Sequence, residues 1–125
     1  MSNAICATVQ VGTRRRKVSD RLIYYVAHCY QGDLRNLDRA RQITRQLQIK
    51  DLDNTYLCPL LTLSHLKYRE IGIEAEMELC YDLLSACDVL IIASEITLGV
   101  QLEINFAEMV GMEVLYLDEY GNLQP

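Results

Sequence analysis

The sequence predicts one α/β domain, built as an open parallel sheet of about four to five strands with helices on both faces. Short apolar runs, of the kind that form buried strands, alternate along the chain with longer segments that have helical spacing. The segments between these runs are long enough for the crossover connections that parallel strands require. A length of 125 residues is also enough for one hydrophobic core but not for two.

The first half of the domain predicts a strand, a helix and a second strand. Leu22 to Ala27 is rich in β-branched and aromatic residues, which is typical of a buried strand. Asp33 is a suitable N-cap for the helix that follows. Apolar residues then recur every three or four positions, which indicates a helix that lies on the sheet: Leu34, Leu37, Ala40, Ile43 and Leu47. Asp51 to Asn54 predicts a turn, and Thr55 to Cys58 predicts a short strand that Pro59 ends.

An irregular segment then leads into a clearer helix. Leu60 to Tyr68 could be a loop or one irregular helix, and we interpret it as a connecting segment. Ile73 to Cys87 has an apolar stripe at helical spacing, formed by Ile73, Met77, Cys80, Leu84 and Cys87. Glutamates near its start suit the helix dipole, and its apolar face could pair two copies of the chain as a homo-oligomer.

The last third predicts a strand, a loop, a helix and a strand. Asp88 to Ala93 and Met112 to Leu117 are short apolar runs, and Val100 to Val110 between them has helical spacing. A short polar tail, GNLQP, follows. The complete order of elements is that of a flavodoxin- or Rossmann-like domain over residues 21–125. Residues 1–20 are interpreted as a peripheral N-terminal segment.

One carboxylate does not fit its predicted surroundings. On a helix that starts at Val100, Glu103 falls in the middle of a wide apolar face, whose other members are Leu102, Ile104, Phe106, Ala107, Met109 and Val110. An ionised carboxylate costs several kcal/mol to bury without partners. Glu103 is therefore either a structural carboxylate, paired with an arginine or with backbone N–H groups, or a functional one.

The predicted sheet also says where a ligand would bind. In an open parallel sheet, the binding crevice lies beyond the carboxyl ends of the strands. Three segments should meet there: His28 to Asp33, the stretch after Cys58, and Ser94 to Gly99. Two of them lead into helix N-termini, where free N–H groups favour an anion such as phosphate. Glu103, one turn into its helix, is expected to face this crevice.

Composition and charge narrow the class of partner. The net charge of −5 argues against nucleic acid as a partner, unless basic residues cluster on one face. Arg14 to Lys17 forms one such cluster, which could contact phosphate or RNA, although such runs are usually solvated tails. No apolar run approaches the roughly 20 residues that span a bilayer, so no membrane partner is expected. The N-terminus lacks the pattern of a secretory signal, so a cytoplasmic location is expected.

The sequence predicts no metal and no cofactor. The five cysteines form no C-x-x-C pair and fall mostly in apolar stretches, which is typical of reduced, buried thiols. The histidines, His28 and His65, are far apart in sequence, and His65 is interpreted as an ordinary residue of the connecting segment. The glycine-rich fingerprints for dinucleotides and for ATP are both absent from the sequence.

The residues around the predicted crevice resemble the nucleoside 2-deoxyribosyltransferase-like superfamily, from about Tyr24 to Asp118. The shared pattern is a strand ending Y-V-A, a loop with a downstream Gly and Asp, a helix, and then C-D, an apolar strand and G-x-x-x-E-x-x-x-A. The resemblance is closest to a small branch whose first loop reads A-H-P-x-x-G-D-x-x-N-x-x-x-A. The matching residues are Ala27, His28, Gly32, Asp33, Asn36 and Ala40, and Cys29 replaces the proline.

The resemblance implies chemistry on an N-glycosidic bond. In the characterised members, the Glu of G-x-x-x-E-x-x-x-A is the nucleophile that attacks the anomeric carbon of a deoxyribonucleoside or its 5′-phosphate. Here the motif is Gly99, Glu103 and Ala107. Relatives that act on 5′-phosphates carry Ser/Thr-x-Gly before this helix, so Thr97 would bind a sugar hydroxyl or the phosphate. The implied partner is a small-molecule nucleoside or nucleotide.

The resemblance also suggests residues that bind the substrate, each with an ordinary structural alternative. The candidates are Tyr25, His28, Gly32, Asp33, Asn36, Thr97 and Gly99. Tyr25 could be a platform for the sugar, although a strand tyrosine is more often a core residue. His28 either contacts the ligand or only closes its turn.

Departures from the family pattern keep a second function open. Transferases of this group commonly carry one carboxylate two residues before the Gly and another on the helix before the C-D strand. Thr97 and Cys80 occupy the nearest equivalent positions here. The chain could therefore be a transferase or hydrolase, or a nucleotide-binding module of the same fold that has lost the chemistry. A third hypothesis, an RNA-interacting accessory protein, depends on residues 14 to 17.

Overall fold

Strands and helices alternate along the chain in the computed structural model, which describes residues 20–125. In chain order the elements are β1 (Ile23–Ala27), α1 (Leu34–Lys50), β2 (Thr55–Leu57), α2 (Pro59–Thr62), α3 (Ile73–Ser85), β3 (Val89–Ile92), α4 (Leu98–Met109), β4 (Glu113–Leu117) and β5 (Leu123–Gln124). The predictions about Cys6, the basic cluster at 14–17 and nearly all of the N-terminal segment lie outside the described residues.

The strands form one open sheet in the order β2-β1-β3-β4-β5. Strands β1 to β4 are parallel, and β5 pairs antiparallel with β4 at the edge. This is the flavodoxin-like order, in which β2 lies on one side of β1 and β3 lies on the other. The predicted α/β fold with a mainly parallel sheet is confirmed.

Both faces of the sheet are covered, because alternate residues of the buried strands point to opposite sides. Tyr25 and Ala27 of β1 pack with residues of α3 and α4, whereas Val26 packs with α1 through Ala40 and Leu47. Strand β3 is buried over its whole length. A strand buried on both faces needs the continuous apolar run that the sequence shows.

The start of α1 follows from its cap. The side chain of Asp33 accepts a hydrogen bond from the backbone N–H of Arg35, as the sequence predicts for an N-cap. The ambiguous segment after β2 is a short helix, α2, which begins at Pro59 and is followed by turns as far as Ile71. Proline suits the first turn of a helix because its missing N–H has no partner there in any case.

Two details of the last third differ from the sequence prediction. The tail that reads as polar contains β5, whose Leu123 packs against the core. Met109 and Val110, placed on the apolar face of the last helix, are 74% and 53% exposed. For Val110 the cause is the end of α4: Gly111 has a φ of 75°, and the backbone N–H of Met112 donates to Ala107 O, so the chain leaves the helix here. The helical spacing therefore stops applying before Val110.

Among the helices of residues 20–125, none is long and apolar enough to cross a bilayer.

Candidate functional site

A cavity of about 280 Å³ lies beyond the carboxyl ends of the parallel strands. Its wall contains His28 and Tyr30 from the loop after β1, Pro59 and Leu60 from the stretch after Cys58, and Thr97 from the loop before α4. The three segments that the sequence places in one crevice therefore meet. The connection 63–69 and the inner face of α3 complete the wall.

Glu103 extends from α4 into this wall, although only 6% of its surface is exposed. Its Oε2 accepts a hydrogen bond from the hydroxyl of Tyr25. Burial raises the pKa of Glu103 to about 7, and the hydrogen bond from Tyr25 opposes that rise. Among the described residues, no arginine forms a salt bridge with Glu103, so the arginine-paired structural carboxylate is not what the structure contains.

Tyr25 lies in the core next to Glu103 rather than in the wall of the cavity. It is fully buried on β1 and packs among residues of α3 and α4. Burial and the neighbouring Glu103 raise the pKa of its hydroxyl, so the hydroxyl stays protonated and donates. The sequence analysis suggests Tyr25 for substrate contact, but its observed contact is with the carboxylate. Its geometry is that of a residue that positions Glu103.

His28 is the second buried polar residue of the cavity wall, with 6% of its surface exposed. Its Nδ1 lies 2.8 Å from the carbonyl oxygen of Cys29, and a carbonyl oxygen can only accept, so Nδ1 carries the proton of this bond. Its Nε2 is buried and has no hydrogen-bond partner among the described residues. The ring therefore closes the turn with one nitrogen and leaves the other available.

Thr97 and Gly99 line the cavity at the N-terminus of α4. Thr97 is the N-cap residue, but its side chain makes no capping hydrogen bond. A Cβ added at Gly99 would meet no atom within 4 Å, so packing does not require glycine there. The first turn of α4 thus presents backbone N–H groups and a hydroxyl to the cavity, which is an arrangement that binds anions.

Three other predicted binding residues are absent from the cavity wall. Asp33 caps α1, and its carboxylate lies 3.0 Å from the guanidinium of Arg35. The side-chain amide of Asn36 donates to the carbonyl oxygen of Tyr30 at 3.0 Å. Gly32 has a φ of 74°. These residues shape the loop that carries His28, and their direct contact with a substrate stays a prediction.

The cavity contains charged residues that the sequence analysis does not identify as site residues. Glu76 of α3 lines the wall together with Ile73 and Cys80. Spacings of three and four residues place these side chains on one helical face, and that spacing was the signal available in the sequence. Lys67 and Arg69 also line the cavity, from the segment whose structure the sequence leaves ambiguous.

Cys80 lines the cavity from α3. Burial, together with the negative charge of Glu103, raises the pKa of its thiol to about 12. The thiol therefore stays protonated and adds no negative charge to the cavity wall. Cys29, Cys58 and Cys87 are buried, as predicted.

Within residues 20–125, no group of three or more histidines, cysteines and acidic residues is placed so that it could hold a metal ion. His65, the other histidine, is exposed and is not part of the cavity wall.

Comparisons with known protein families and with curated proteins identify no family for this chain. No protein-family model matches the chain, and a search of curated proteins finds no match either. The functional interpretation accordingly depends on the residues of the cavity and on the resemblance of their pattern.

Proposed function

We propose that the protein cleaves or transfers the N-glycosidic bond of a nucleoside or nucleotide, with Glu103 as the nucleophile. The observation that carries this proposal is a single buried carboxylate, held by the hydroxyl of Tyr25, in the wall of a cavity. A pKa of about 7 leaves a substantial fraction of Glu103 ionised at neutral pH. Because it is only weakly solvated, such a carboxylate suits attack on a sugar carbon that develops positive charge.

The proposed reaction has two steps. In the first, a carboxylate oxygen of Glu103 bonds to the anomeric carbon while the bond from that carbon to the base nitrogen breaks. The base leaves with the bonding electron pair and takes a proton from solvent. In the second, water or the nitrogen of another base attacks the same carbon and loses its proton to solvent. The ester bond to Glu103 breaks, and its electron pair returns to the carboxylate. Water gives hydrolysis, and a second base gives transfer.

The charges around the cavity support a nucleoside or nucleotide as the substrate. The N-terminus of α4, with the hydroxyl of Thr97, favours a phosphate or a sugar hydroxyl. Lys67 and Arg69 add positive charge to the wall, which favours an anionic substituent. A cavity of about 280 Å³ is close to the lower end of the range for small-molecule sites.

The experiment that tests the proposal measures release of free base. The protein is incubated with a panel of deoxyribonucleosides and their 5′-monophosphates, and products are separated by chromatography. We expect base release that falls by at least about a thousandfold in Glu103→Gln, because removing a covalent nucleophile removes the step itself. Absence of turnover on every member of the panel would contradict the proposal.

Asp51→Asn is a matched control for this experiment. Asp51 is also a carboxylate that accepts a hydrogen bond from a tyrosine, Tyr56, but it is not part of the cavity wall. The same acid-to-amide change at Asp51 should leave the rate of base release unchanged. An equal loss in both variants would show that the assay reports folding rather than chemistry.

A nucleotide-binding module without activity is the second candidate, and Cys80 favours it. Its protonated thiol cannot form the charged contact that the carboxylate of related transferases makes. A binding module would show ligand-dependent melting with no base release, and the shift in melting temperature would be insensitive to Glu103→Gln. Base release by the unmodified protein excludes this candidate.

A further inference from the structure

The imidazole of His28 is a buried polar group of the cavity that the proposed reaction does not use. Buried side-chain nitrogen and oxygen atoms in native proteins are nearly always paired. Among the described residues, Nε2 of His28 is the buried side-chain atom without a partner. It belongs to a residue that lines the same cavity as Glu103. The unpaired atom therefore belongs to a residue that a substrate in the cavity would adjoin.

The other contacts of this loop determine what kind of partner Nε2 can accept. Nδ1 donates its proton to the carbonyl oxygen of Cys29, at 2.8 Å. In the neutral ring, a proton on Nδ1 leaves a lone pair on Nε2, which is then a hydrogen-bond acceptor. The backbone N–H of Cys29 in turn donates to Oγ of Ser94, at 2.8 Å. The acceptor is thus held in place by two hydrogen bonds before any ligand binds.

We propose that Nε2 of His28 accepts a hydrogen bond from the substrate and so selects nucleosides that carry a donor at that place. The inference depends on the proposed function for its substrate class. In 2′-deoxyadenosine and 2′-deoxycytidine, two kinds of group supply such a donor, the sugar hydroxyls and the exocyclic amino group of the base. A site with a fixed polar partner discriminates strongly against an analogue that lacks the matching group, because the partner is left buried and unpaired.

The test measures equilibrium binding in Glu103→Gln, which separates binding from turnover. 2′-Deoxyadenosine is compared with purine 2′-deoxyriboside, which lacks the amino group, and with 2′,3′,5′-trideoxyadenosine, which lacks both sugar hydroxyls. 2′-Deoxycytidine and its analogues without the same groups form a second series. We expect one of the two deletions to weaken binding by at least about tenfold. Which deletion has this effect identifies the donor.

Two substitutions at His28 separate this role from closing the turn. His28→Asn keeps an amide near the position of Nδ1 and can still bond to Cys29 O, but it has no acceptor at the position of Nε2. His28→Gln places an amide oxygen near the position of Nε2. In the Asn variant the discrimination between the paired ligands should fall to less than about twofold. In the Gln variant most of it should return.

Other outcomes overturn the inference in distinguishable ways. If the Asn variant discriminates as strongly as its parent, another residue recognises the donor, and His28 serves only the turn. If neither deletion weakens binding while the unmodified protein still releases base, the inference fails and the proposed function stands. Discrimination that depends on His28, without base release by the unmodified protein, supports the inference and contradicts the reaction. No binding of any nucleoside or of its 5′-monophosphate overturns both.

Discussion

Two tyrosine–carboxylate pairs lie near opposite ends of the parallel sheet, and their environments differ. Near the amino end, Asp51 accepts hydrogen bonds from the hydroxyl of Tyr56 at 2.8 Å, the amide of Asn54 at 2.9 Å and the backbone N–H of Asp53 at 3.1 Å. At the carboxyl end, the hydrogen bond to Glu103 comes from Tyr25. The pKa of Asp51 is lowered by its donors, whereas the pKa of Glu103 is raised by burial to about 7.

The two tyrosine–carboxylate pairs differ in how completely their surroundings satisfy the hydrogen bonds of the polar groups. At the amino end the polar groups satisfy each other: Gln48 also donates to Asn54 O and accepts from the backbone N–H of Tyr56. Such a network fixes the turn between α1 and β2 and leaves little for a ligand. At the carboxyl end, Glu103 is poorly solvated, and Nε2 of His28 has no hydrogen-bond partner within residues 20–125. Perturbed groups around a cavity are typical of functional sites.

The largest expected effect on stability comes from Glu103→Gln. The pKa of Glu103 is about 7 in the folded protein, against an ordinary value of 4.5, so the folded state retains a proton that the unfolded chain releases between these values. Stability therefore falls as the pH rises from about 4.5 through 7, by up to roughly 3 kcal/mol. Glu103→Gln removes this loss. In urea unfolding, the stability of the variant relative to the unmodified protein should increase by about that amount between pH 4.5 and pH 8.

Asp51→Asn should show the opposite pH dependence. Because the folded-state pKa of Asp51 is lowered, its contribution to stability is present above the ordinary pKa of the carboxyl and is lost as the pH falls through the lowered one. Asp51→Asn should therefore be less stable than the unmodified protein at pH 7, and the difference should shrink in acid. If both variants followed the same pH dependence, the contrast between the two pairs would be wrong.

The tyrosines offer a second, smaller test of the comparison. Tyr25→Phe removes the hydrogen bond that lowers the pKa of Glu103, so the pKa should rise further above about 7. If ionised Glu103 is the nucleophile, base release at pH 7 should fall about fivefold for the first unit of that rise and about tenfold for each further unit. The acidic limb of the profile of kcat/KM against pH should move to higher pH.

Tyr56→Phe supplies the matched control for this profile. It removes the same hydroxyl from the amino-end pair, where Asp51 keeps its other donors. The profile of base release should not move, although some stability is lost with the hydrogen bond. A Tyr25→Phe profile that coincides with that of the unmodified protein would show that Tyr25 does not tune Glu103.

Much of the carboxyl end was predictable because it follows from local patterns. A continuous apolar run predicts a strand buried on both faces, and β3 is one. A charged residue on an apolar helical face predicts an unusual carboxylate, and Glu103 is buried. Parallel topology brings together loops that are far apart in sequence, so His28, Thr97 and Glu103 line one cavity.

The parts that the sequence did not predict depend on contacts between distant segments. The partner of Glu103 is Tyr25, which lies 78 residues earlier on another element. Spacing along one element carries no information about such a pair. Lys67 and Arg69 belong to a segment without regular periodicity, so their place in the cavity wall has no local signal. The edge strand β5 has two residues, which is too short for an alternation pattern.

The smallest expected effect concerns Glu76, which extends the comparison to a carboxylate of the cavity that is not the nucleophile. Glu76 lines the cavity from α3, whereas Glu78 on the same helix is exposed and lies outside the wall. If Glu76 contacts a donor group of the substrate equally before and during the reaction, Glu76→Gln should raise KM by about threefold to tenfold and leave kcat nearly unchanged. Glu78→Gln should change neither constant. Steady-state kinetics of base release on the best substrate of the panel separates the two constants. A fall in kcat at constant KM would instead place Glu76 in the chemical step, and the cavity would then contain two reacting carboxylates.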